Sequence, residues 1–287
     1  MHILVIGGTG LIGSNIVRNA ETAGHRVSST WHTNDDGSAE YRLDKTDTQD
    51  VTDLIDELRP DAVIDTAAFH DVDACESQRD EAWSVNAAGT RNVAAATAAV
   101  DAHYVFLSTD YVFPGDGAGS PYEPEDPVAP ANYYARTKLA GEQAARIPEN
   151  WTVLRTSVVY GTERENFVTW ALSELDAGNE LTIVDDQISS PTYAPDVARA
   201  SVHVAERGVT GTHHAAGPVS VSRYEFTRRL AEVYGYETDR ISPISTEAFG
   251  QTAPRPTDST LDSTGLYELL EWRFETPRDA FAEMAAE

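Results

Sequence analysis

A glycine-rich turn near the N-terminus restricts the fold of this chain more than any other feature. An apolar run at residues 3–6 (ILVI) leads directly into residues 7–13 (GGTGLIG), and the pattern then predicts a helix that ends before Gly24. Glycines at this spacing, between a strand and a helix, permit a tight turn and let a pyrophosphate approach the helix N-terminus. The residues expected at this phosphate site are Gly7, Thr9, Gly10, Leu11, Ile12 and Gly13.

Strand-like and helix-like segments then alternate along the chain. The predicted strands lie at residues 3–6, 26–31, 62–65, 104–108 and 151–159, and the predicted helices between them at residues 11–23, 51–58, 80–100 and 133–146. Alternation of this kind predicts an α/β fold of Rossmann type, with a doubly wound parallel sheet. After Gly161 the regular alternation of predicted strands and helices ends. We therefore predict a dinucleotide-binding domain at 1–160 and a smaller, interleaved C-terminal substrate-binding region at 161–287, part of which returns to the Rossmann domain.

The chain has a large excess of acidic over basic residues. It has 47 acidic residues against 21 basic ones, a formal net charge of −26, and only two lysines, Lys45 and Lys138. Such a charge repels nucleic-acid phosphates, so no nucleic-acid partner is expected. Concentrated salt screens the self-repulsion of an acidic surface. The composition therefore predicts a halophilic protein.

Other classes of protein are disfavoured by the apolar and cysteine content. No stretch reaches the roughly 20 apolar residues that a membrane helix needs, and the N-terminal run is too short for a signal segment, so we expect a cytoplasmic protein with no membrane partner. Cys75 is the only cysteine, which excludes an internal disulfide, and we expect it to be a small buried residue. No metal constellation stands out.

Tyr134 and Lys138 stand four residues apart in a segment that is predicted to be helical. This spacing puts both side chains on one face of a helix, one turn apart. A phenol can serve as a proton donor, and a nearby ammonium can lower its pKa. Together with a dinucleotide site, the pair indicates hydride transfer to a carbonyl or from an alcohol.

The end of the second predicted strand bears on the choice of cofactor. An Asp or Glu is usual there when the ribose 2′-hydroxyl of NAD is bound. Residues 30–34 contain no acid, and His32, Thr33 and Asn34 could each donate to a 2′-phosphate. The pattern favours NADPH as cofactor, with NADH as the alternative.

Several further segments resemble one known family. The glycine turn with Tyr134 and Lys138 resembles the extended short-chain dehydrogenase/reductase superfamily. The segments that narrow the resemblance lie at residues 108–113 (STDYVF), 137–142 (TKLAGE), 154–157 (LRTS), 186–192 (DQISSPT) and 255–262 (RPTDSTLD). Together they resemble the dTDP-4-dehydrorhamnose reductase family over almost the whole chain.

The resemblance implies a role for each matching residue. Tyr134 would donate a proton to the substrate oxygen, Lys138 would lower the pKa of Tyr134 and hold the nicotinamide ribose, and Thr109 would bond the substrate carbonyl. Asn86 would tie a helix to a strand near the site. The further cofactor-binding residues implied are Asp44 and Lys45, at the adenine, and Ala67, Ala68 and Phe69, along the cofactor path.

The implied substrate residues include two departures from the family. Asp110, Gln187 and Arg255 match positions near the sugar nucleotide, although each could instead be structural. Val158 replaces the usual tryptophan that packs on the sugar, and Ser189 replaces a glycine. Valine would leave the pocket roomier. Either another aromatic compensates, with Tyr111, Phe113 and Tyr160 the nearest candidates in the sequence, or the substrate differs from the 6-deoxyhexulose of the family.

The leading hypothesis is an oxidoreductase that reduces a nucleotide-linked 4-keto-6-deoxy sugar. Its expected partner is the nucleotide-sugar substrate, and a homodimer is the assembly considered. One alternative is an epimerase or dehydratase of the same superfamily, although Tyr111 stands where a dehydratase usually has Glu. The other is a non-catalytic NADP-binding regulatory subunit resembling that of methionine adenosyltransferase.

Overall fold

The computed structural model describes residues 1–33 and 35–286. Its strands are β1 (His2–Ile6), β2 (Arg26–Trp31), β3 (Tyr41–Arg42), β4 (Ala62–Asp65), β5 (His103–Thr109), β6 (Trp151–Thr156), β7 (Val159–Tyr160), β8 (Leu181–Val184), β9 (Ile188–Ser189), β10 (Thr192–Tyr193), β11 (Gly211–His214), β12 (Val221–Ser222) and β13 (Ile241–Ile244). Its α-helices are α1 (Leu11–Thr22), α2 (Thr48–Leu58), α3 (Val72–Ser77), α4 (Arg79–Trp83), α5 (Thr90–Ala99), α6 (Tyr133–Ala144), α7 (Phe167–Asp176), α8 (Ala194–Arg207), α9 (Arg223–Tyr234), α10 (Thr246–Phe249), α11 (Thr264–Leu270) and α12 (Pro277–Met284). A π-helical segment, Ser84–Gly89, joins α4 to α5, and 3₁₀ turns lie at Asp110–Val112 and Thr238–Arg240.

Seven parallel strands form the central sheet, in the order β11-β6-β5-β4-β1-β2-β3. The order reverses beside β1, so the carboxyl ends of β1 and β4 open onto a crevice. In sheets of this kind ligands bind in that crevice, beside the first glycine-rich turn. The predicted doubly wound Rossmann-type fold is confirmed.

Helices cover both faces of the sheet, which is why its central strands β1, β4 and β5 are buried along their whole length. Successive residues of β1 point to opposite faces. Ile3 and Val5 pack into a core shared with α1 and α8, whereas Leu4 and Ile6 pack into a second core shared with α2 and α5.

The C-terminal part of the chain contributes both to this sheet and to a separate core. It supplies the edge strand β11, paired with β6, and the helix α8, packed on α1. The remainder buries aromatic side chains, among them Phe226 and Phe281, between α7, α9 and α12.

Several predicted elements differ in their bounds: the helix expected over residues 80–100 is divided into α4, the π-helical segment and α5. Two further differences have a local cause. The strand expected over residues 151–159 is interrupted: β6 ends at Thr156, and β7 begins at Val159. Val158 between them has a φ of 42°, in the left-handed region that a β-branched residue seldom adopts. The helix expected from residue 51 begins earlier, at Thr48, because the Asp47 carboxylate caps it by accepting from the backbone N–H groups of Gln49 and Asp50.

Candidate active site

The glycine turn has the geometry that a pyrophosphate requires. Gly7 has a φ of +84°, and a Cβ at Gly13 would overlap the Gly7 carbonyl oxygen. Helix α1 starts without a side-chain cap and has no acid in its first turn, so its N–H groups are available to an anion. Around the turn Gly10 is exposed, and Thr9, Leu11 and Ile12 are half-buried.

Asp44 places a carboxylate beside His32, one of the residues expected to donate to a 2′-phosphate. The sequence of β2 alone did not show this carboxylate. The exposed ring of His32 lies with Nε2 3.6 Å from Oδ2 of Asp44, which follows β3. Hydrogen bonds from the hydroxyl and N–H of Thr46 lower the pKa of Asp44. Thr33 is exposed, and Asn34 lies outside the described residues.

Lys45, which the resemblance implies at the adenine, has its side chain turned into the protein. Its ammonium is buried and donates to Asp65 Oδ2 over 2.6 Å, to the carbonyl of Ala67 over 3.0 Å and to the Thr90 hydroxyl over 3.2 Å. Tyr104 donates to the same Asp65 carboxylate over 2.8 Å. The side chain of Lys45 is therefore a structural anchor, and its contact with an adenine stays a prediction.

The loop after β4 is fixed in a position that suits a cofactor-lining segment. Ala67, Ala68 and Phe69 are half-buried, and Ala67 lies beside the glycine turn, in contact range of a Cβ at Gly7. Asn86, in the π-helical segment, accepts from the N–H of Phe69 at 2.8 Å and donates to its carbonyl at 2.9 Å. It also donates to Thr137 of α6. Asn86 was predicted to tie a helix to a strand. Its hydrogen bonds instead join the loop after β4 to helix α6.

Thr109 and Tyr134 come together at the carboxyl end of β5. Asn132 caps α6 and so fixes the position of Tyr134, whose phenol interacts with the Thr109 side chain. Burial raises the pKa of Tyr134 above its ordinary value, and the nearby charge of Asp110 acts in the same direction. The phenol therefore keeps its proton at neutral pH, as a proton donor must.

Lys138 lies one turn beyond Tyr134 on α6 and is buried. Its ammonium donates to the Leu107 carbonyl over 2.6 Å and lies 4.2 Å from the centre of the Phe106 ring. Burial lowers the pKa of Lys138 to about 7, and the charge of Lys45 contributes. Burial raises the pKa of Tyr134 overall, and the lowering of that pKa by Lys138 stays a prediction.

Asp110 is a buried junction rather than an open substrate ligand. Its carboxylate accepts hydrogen bonds from Ser157 at 2.7 Å, from Ser259 at 2.6 Å and from Thr109 at 3.1 Å. Burial raises its pKa, although these hydroxyls oppose the shift. The residue joins the ends of β5 and β6 to the C-terminal segment.

A small cavity of about 10 Å³ lies beside this junction. The implied substrate residues Tyr111, Val158 and Gln187 line it, together with Ser189, Arg223 and Ser259. The Tyr111 ring packs edge-on against the Tyr134 ring, with centroids 6.2 Å apart, so the cavity adjoins Tyr134, the predicted proton donor. That Val158 leaves more room than a tryptophan would stays a prediction. Of the aromatic candidates only Tyr111 lines the cavity. Phe113 and Tyr160 pack within apolar cores.

Arg255, expected near the sugar nucleotide, is directed elsewhere, and a different arginine lines the cavity. Arg255 does not line the cavity: it donates to Asp73 over 3.0 Å and to the Ala253 carbonyl over 2.9 Å. Arg223, which was not singled out from the sequence, does line it. The sequence feature that could have drawn attention to Arg223 is its position directly after Ser222, the residue that caps α9.

Other kinds of site are not supported by the part of the chain that the structure describes. Over residues 1–33 and 35–286, no helix combines the length and apolarity needed to cross a membrane. In the same residues no group of three or more His, Cys, Asp or Glu could hold a metal ion. Cys75 is buried as expected, and burial raises the pKa of its thiol to about 11.

Known proteins resemble this chain over its whole length. The family model of the RmlD substrate binding domain matches residues 1–287. A dTDP-4-dehydrorhamnose reductase of Mycobacterium tuberculosis H37Rv is 39% identical, over 95% of this chain and 90% of the relative. A probable low-salt glycan biosynthesis reductase of Haloferax volcanii, Agl14, is 34% identical over 100% of this chain and 98% of the relative.

Solved structures agree with the sequence relatives. The crystal structure of dTDP-4-dehydrorhamnose reductase from Bacillus anthracis, in complex with NADP, superposes with a TM-score of 0.90 at 29% identity, covering 99% of this chain and 98% of that one. The chain belongs to the dTDP-4-dehydrorhamnose reductase family of extended short-chain dehydrogenases/reductases, a family of NAD(P)-dependent oxidoreductases.

Proposed function

We propose that this protein uses NADPH or NADH to reduce the 4-keto group of a nucleotide-linked 4-keto-6-deoxy sugar, in a reaction of the dTDP-4-dehydrorhamnose reductase type. The observation that carries the proposal is the meeting of Thr109 and Tyr134 at the end of β5, with Lys138 one turn further along α6. The glycine turn and the loop at residues 67–69 face the same crevice, where they would hold the cofactor.

The chain's own residues account for the proton side of this reaction. When bound, the nicotinamide supplies the hydride that reaches the carbonyl carbon. Tyr134 Oη would give its proton to the carbonyl oxygen as the alcohol forms, and the Thr109 hydroxyl would hold that oxygen in place. The phenolate left on Tyr134 then takes a proton from solvent. General acid catalysis of this kind contributes on the order of 10²- to 10⁴-fold to the rate.

Lys138 would hold the nicotinamide ribose by hydrogen bonds from its ammonium. Its bond to the Leu107 carbonyl fixes the direction of the side chain, which aids positioning. Titrating both cofactors and following the fluorescence change on binding tests the preference, and we expect NADPH to bind at least as tightly as NADH. Binding of NADH that is tighter by tenfold would contradict the cofactor assignment.

The alternatives make different use of the same fold. A dehydratase needs an acid after Asp110, and Tyr111 stands there instead, with its phenol directed towards Arg223. A regulatory subunit would not need Thr109 and Tyr134 in contact. These observations favour the reductase over both.

A panel of nucleotide-linked 4-keto sugars, assayed for oxidation of NADPH and NADH, tests the proposal. We expect turnover with a dTDP-4-keto-6-deoxy sugar and none with the corresponding 4-hydroxy sugar. If no member of the panel is reduced while the cofactor binds normally, the reductase proposal is rejected and the regulatory-subunit alternative is favoured.

We further infer that the surface is adapted to concentrated salt. The net charge of −26 results from 47 acidic and 21 basic residues, and both lysines are buried, so neither lies on the surface. The acidic residues of such a surface repel one another in dilute buffer, and salt screens this repulsion.

A further inference from the structure

The proposed substrate carries two negative charges on its diphosphate, and it must reach a protein of net charge −26. A cationic group beside the reacting centre would offset this repulsion and would orient the nucleotide. Guanidinium groups suit the task because their planar fork binds phosphate oxygens in pairs. The arginines near the cavity are therefore the first residues to consider.

Arg223 is held at the cavity by three different contacts. Its backbone N–H donates to the carbonyl of Gln187 over 3.3 Å, which ties the start of α9 to the β8–β9 loop. Its guanidinium lies 5.1 Å from the centre of the Phe167 ring, a cation–π contact that fixes the plane of the group. The same guanidinium faces the phenol of Tyr111 across the cavity.

The charge of Arg223 is not neutralised by a neighbour. Among residues 1–33 and 35–286 no carboxylate lies within ion-pair distance of it, whereas Arg255 pairs with Asp73. The acid nearest in sequence, Glu225, is directed along α9, where its carboxylate accepts from Arg229 at 3.1 Å. A half-buried arginine that lines a cavity and has no carboxylate partner is available to an anionic ligand.

The position of Arg223 also fits the shape of a sugar nucleotide. Tyr111 lies between it and Tyr134, with its ring packed against that of Tyr134. A sugar whose carbonyl meets Tyr134 would extend past Tyr111, so the diphosphate on the opposite side of the sugar ring would lie on the Arg223 side.

We propose that Arg223 binds the diphosphate of the nucleotide-sugar substrate and so sets both its affinity and its direction in the site. This inference rests on the proposed function. The phosphate oxygens replace the Tyr111 phenol as the partner of the guanidinium, while the Phe167 contact is kept. Gln187 and Val158 then border the sugar rather than the charge.

Binding of thymidine diphosphate and of thymidine to the NADPH-loaded protein tests this assignment by calorimetry. We expect Arg223→Gln to weaken thymidine diphosphate binding roughly 10- to 100-fold, the range for loss of charge-assisted hydrogen bonds, and to leave thymidine binding unchanged. Arg228→Gln is the matched control, because it removes the same charge from the same helix away from the cavity. It should bind both compounds as the wild type does.

The outcomes separate the inference from the function on which it rests. If the wild type binds thymidine diphosphate and Arg223→Gln binds it equally well, the assignment of Arg223 is overturned and the reductase proposal stands. If the wild type neither binds the diphosphate nor reduces a nucleotide-linked keto sugar, both fail. Should Arg223→Gln not fold, as judged by lost NADPH binding, Arg223→Lys takes its place. A lysine loses the paired geometry, so unchanged diphosphate binding there would equally overturn the assignment.

Discussion

Lys45 donates to the carboxylate of Asp65 over 2.6 Å, with both side chains almost completely buried. The same ammonium holds the carbonyl of Ala67, the first residue of the loop that faces the glycine turn. A lysine-poor chain thus uses one of its two lysines to brace the loop beside the proposed cofactor site.

Lys45→Met should be strongly destabilising, because it leaves the Asp65 carboxylate buried without its counter-charge. Breaking one side of a buried pair typically costs about 3–5 kcal/mol, and we expect a loss of that size in the free energy of unfolding by denaturant. Arg59→Gln, which removes an exposed arginine paired with Asp56, serves as control and should change stability by less than about 0.5 kcal/mol. A Lys45→Met protein as stable as the control would show that the pair does not brace the fold.

Tyr134→Phe should lower turnover on the order of 10²- to 10⁴-fold, because the variant has no proton to give to the substrate oxygen. Cofactor affinity should hardly change, since the ring and its packing on Tyr111 are kept. Steady-state rates and cofactor titrations measure the two effects. Tyr133→Phe, at the neighbouring residue whose ring contacts Arg79, should retain normal turnover. Equal turnover in the two variants would remove Tyr134 from the mechanism.

Cofactor affinity should fall as the pH rises through about 7. Burial lowers the pKa of Lys138 from 10.5 to about 7, the charge of Lys45 lowers it further, and Asp65 and Glu142 oppose the shift. Below this pH the ammonium is charged and can bond the ribose; above it the amine is neutral. Fluorescence titrations at several pH values measure the profile, and Lys138→Met should flatten it. A wild-type profile as flat as that of the variant would contradict the role of Lys138.

The same lowered pKa has a consequence for stability. Between about 7 and 10.5 the unfolded chain holds a proton on Lys138 that the folded protein has lost. Stability therefore rises with pH across this window, since the unfolded state binds more protons there. Lys138→Met should remove that part of the slope of unfolding free energy against pH.

Melting temperature should rise steeply with added salt. The carboxylates of a chain with a net charge of −26 repel one another. The screening length falls from about 30 Å at 0.01 M salt to about 3 Å at 1 M. Thermal melts in sodium chloride and potassium chloride across this range check the expectation. No change in melting temperature across the range would contradict the halophilic interpretation.

Local sequence patterns predicted the parts of the site that depend on short spacings. The glycine turn and the Tyr134–Lys138 pair depend on one turn and one helix respectively, so their geometry follows from the sequence. β2 was expected over residues 26–31 and is found at Arg26–Trp31, because β-branched and small residues fill it.

Long-range contacts decided the rest of the site, and no local pattern encodes them. Lys45 is turned inward by Asp65, and Arg255 is drawn away from the cavity by Asp73. Arg223 reaches the cavity only because α9 docks on the β8–β9 loop. Val158 is forced to a φ of 42° where the chain leaves β6, which residue preferences would not predict.

Transfer of deuterium tests the central claim most directly. NADPH carrying deuterium on the transferable face of its nicotinamide would be incubated with the protein and a dTDP-4-keto-6-deoxy sugar, and the product would be examined by mass spectrometry and NMR. We expect one deuterium at the sugar carbon that bore the keto group, formed in step with cofactor oxidation. A product without the label, or an unchanged keto sugar in the presence of bound cofactor, would contradict it.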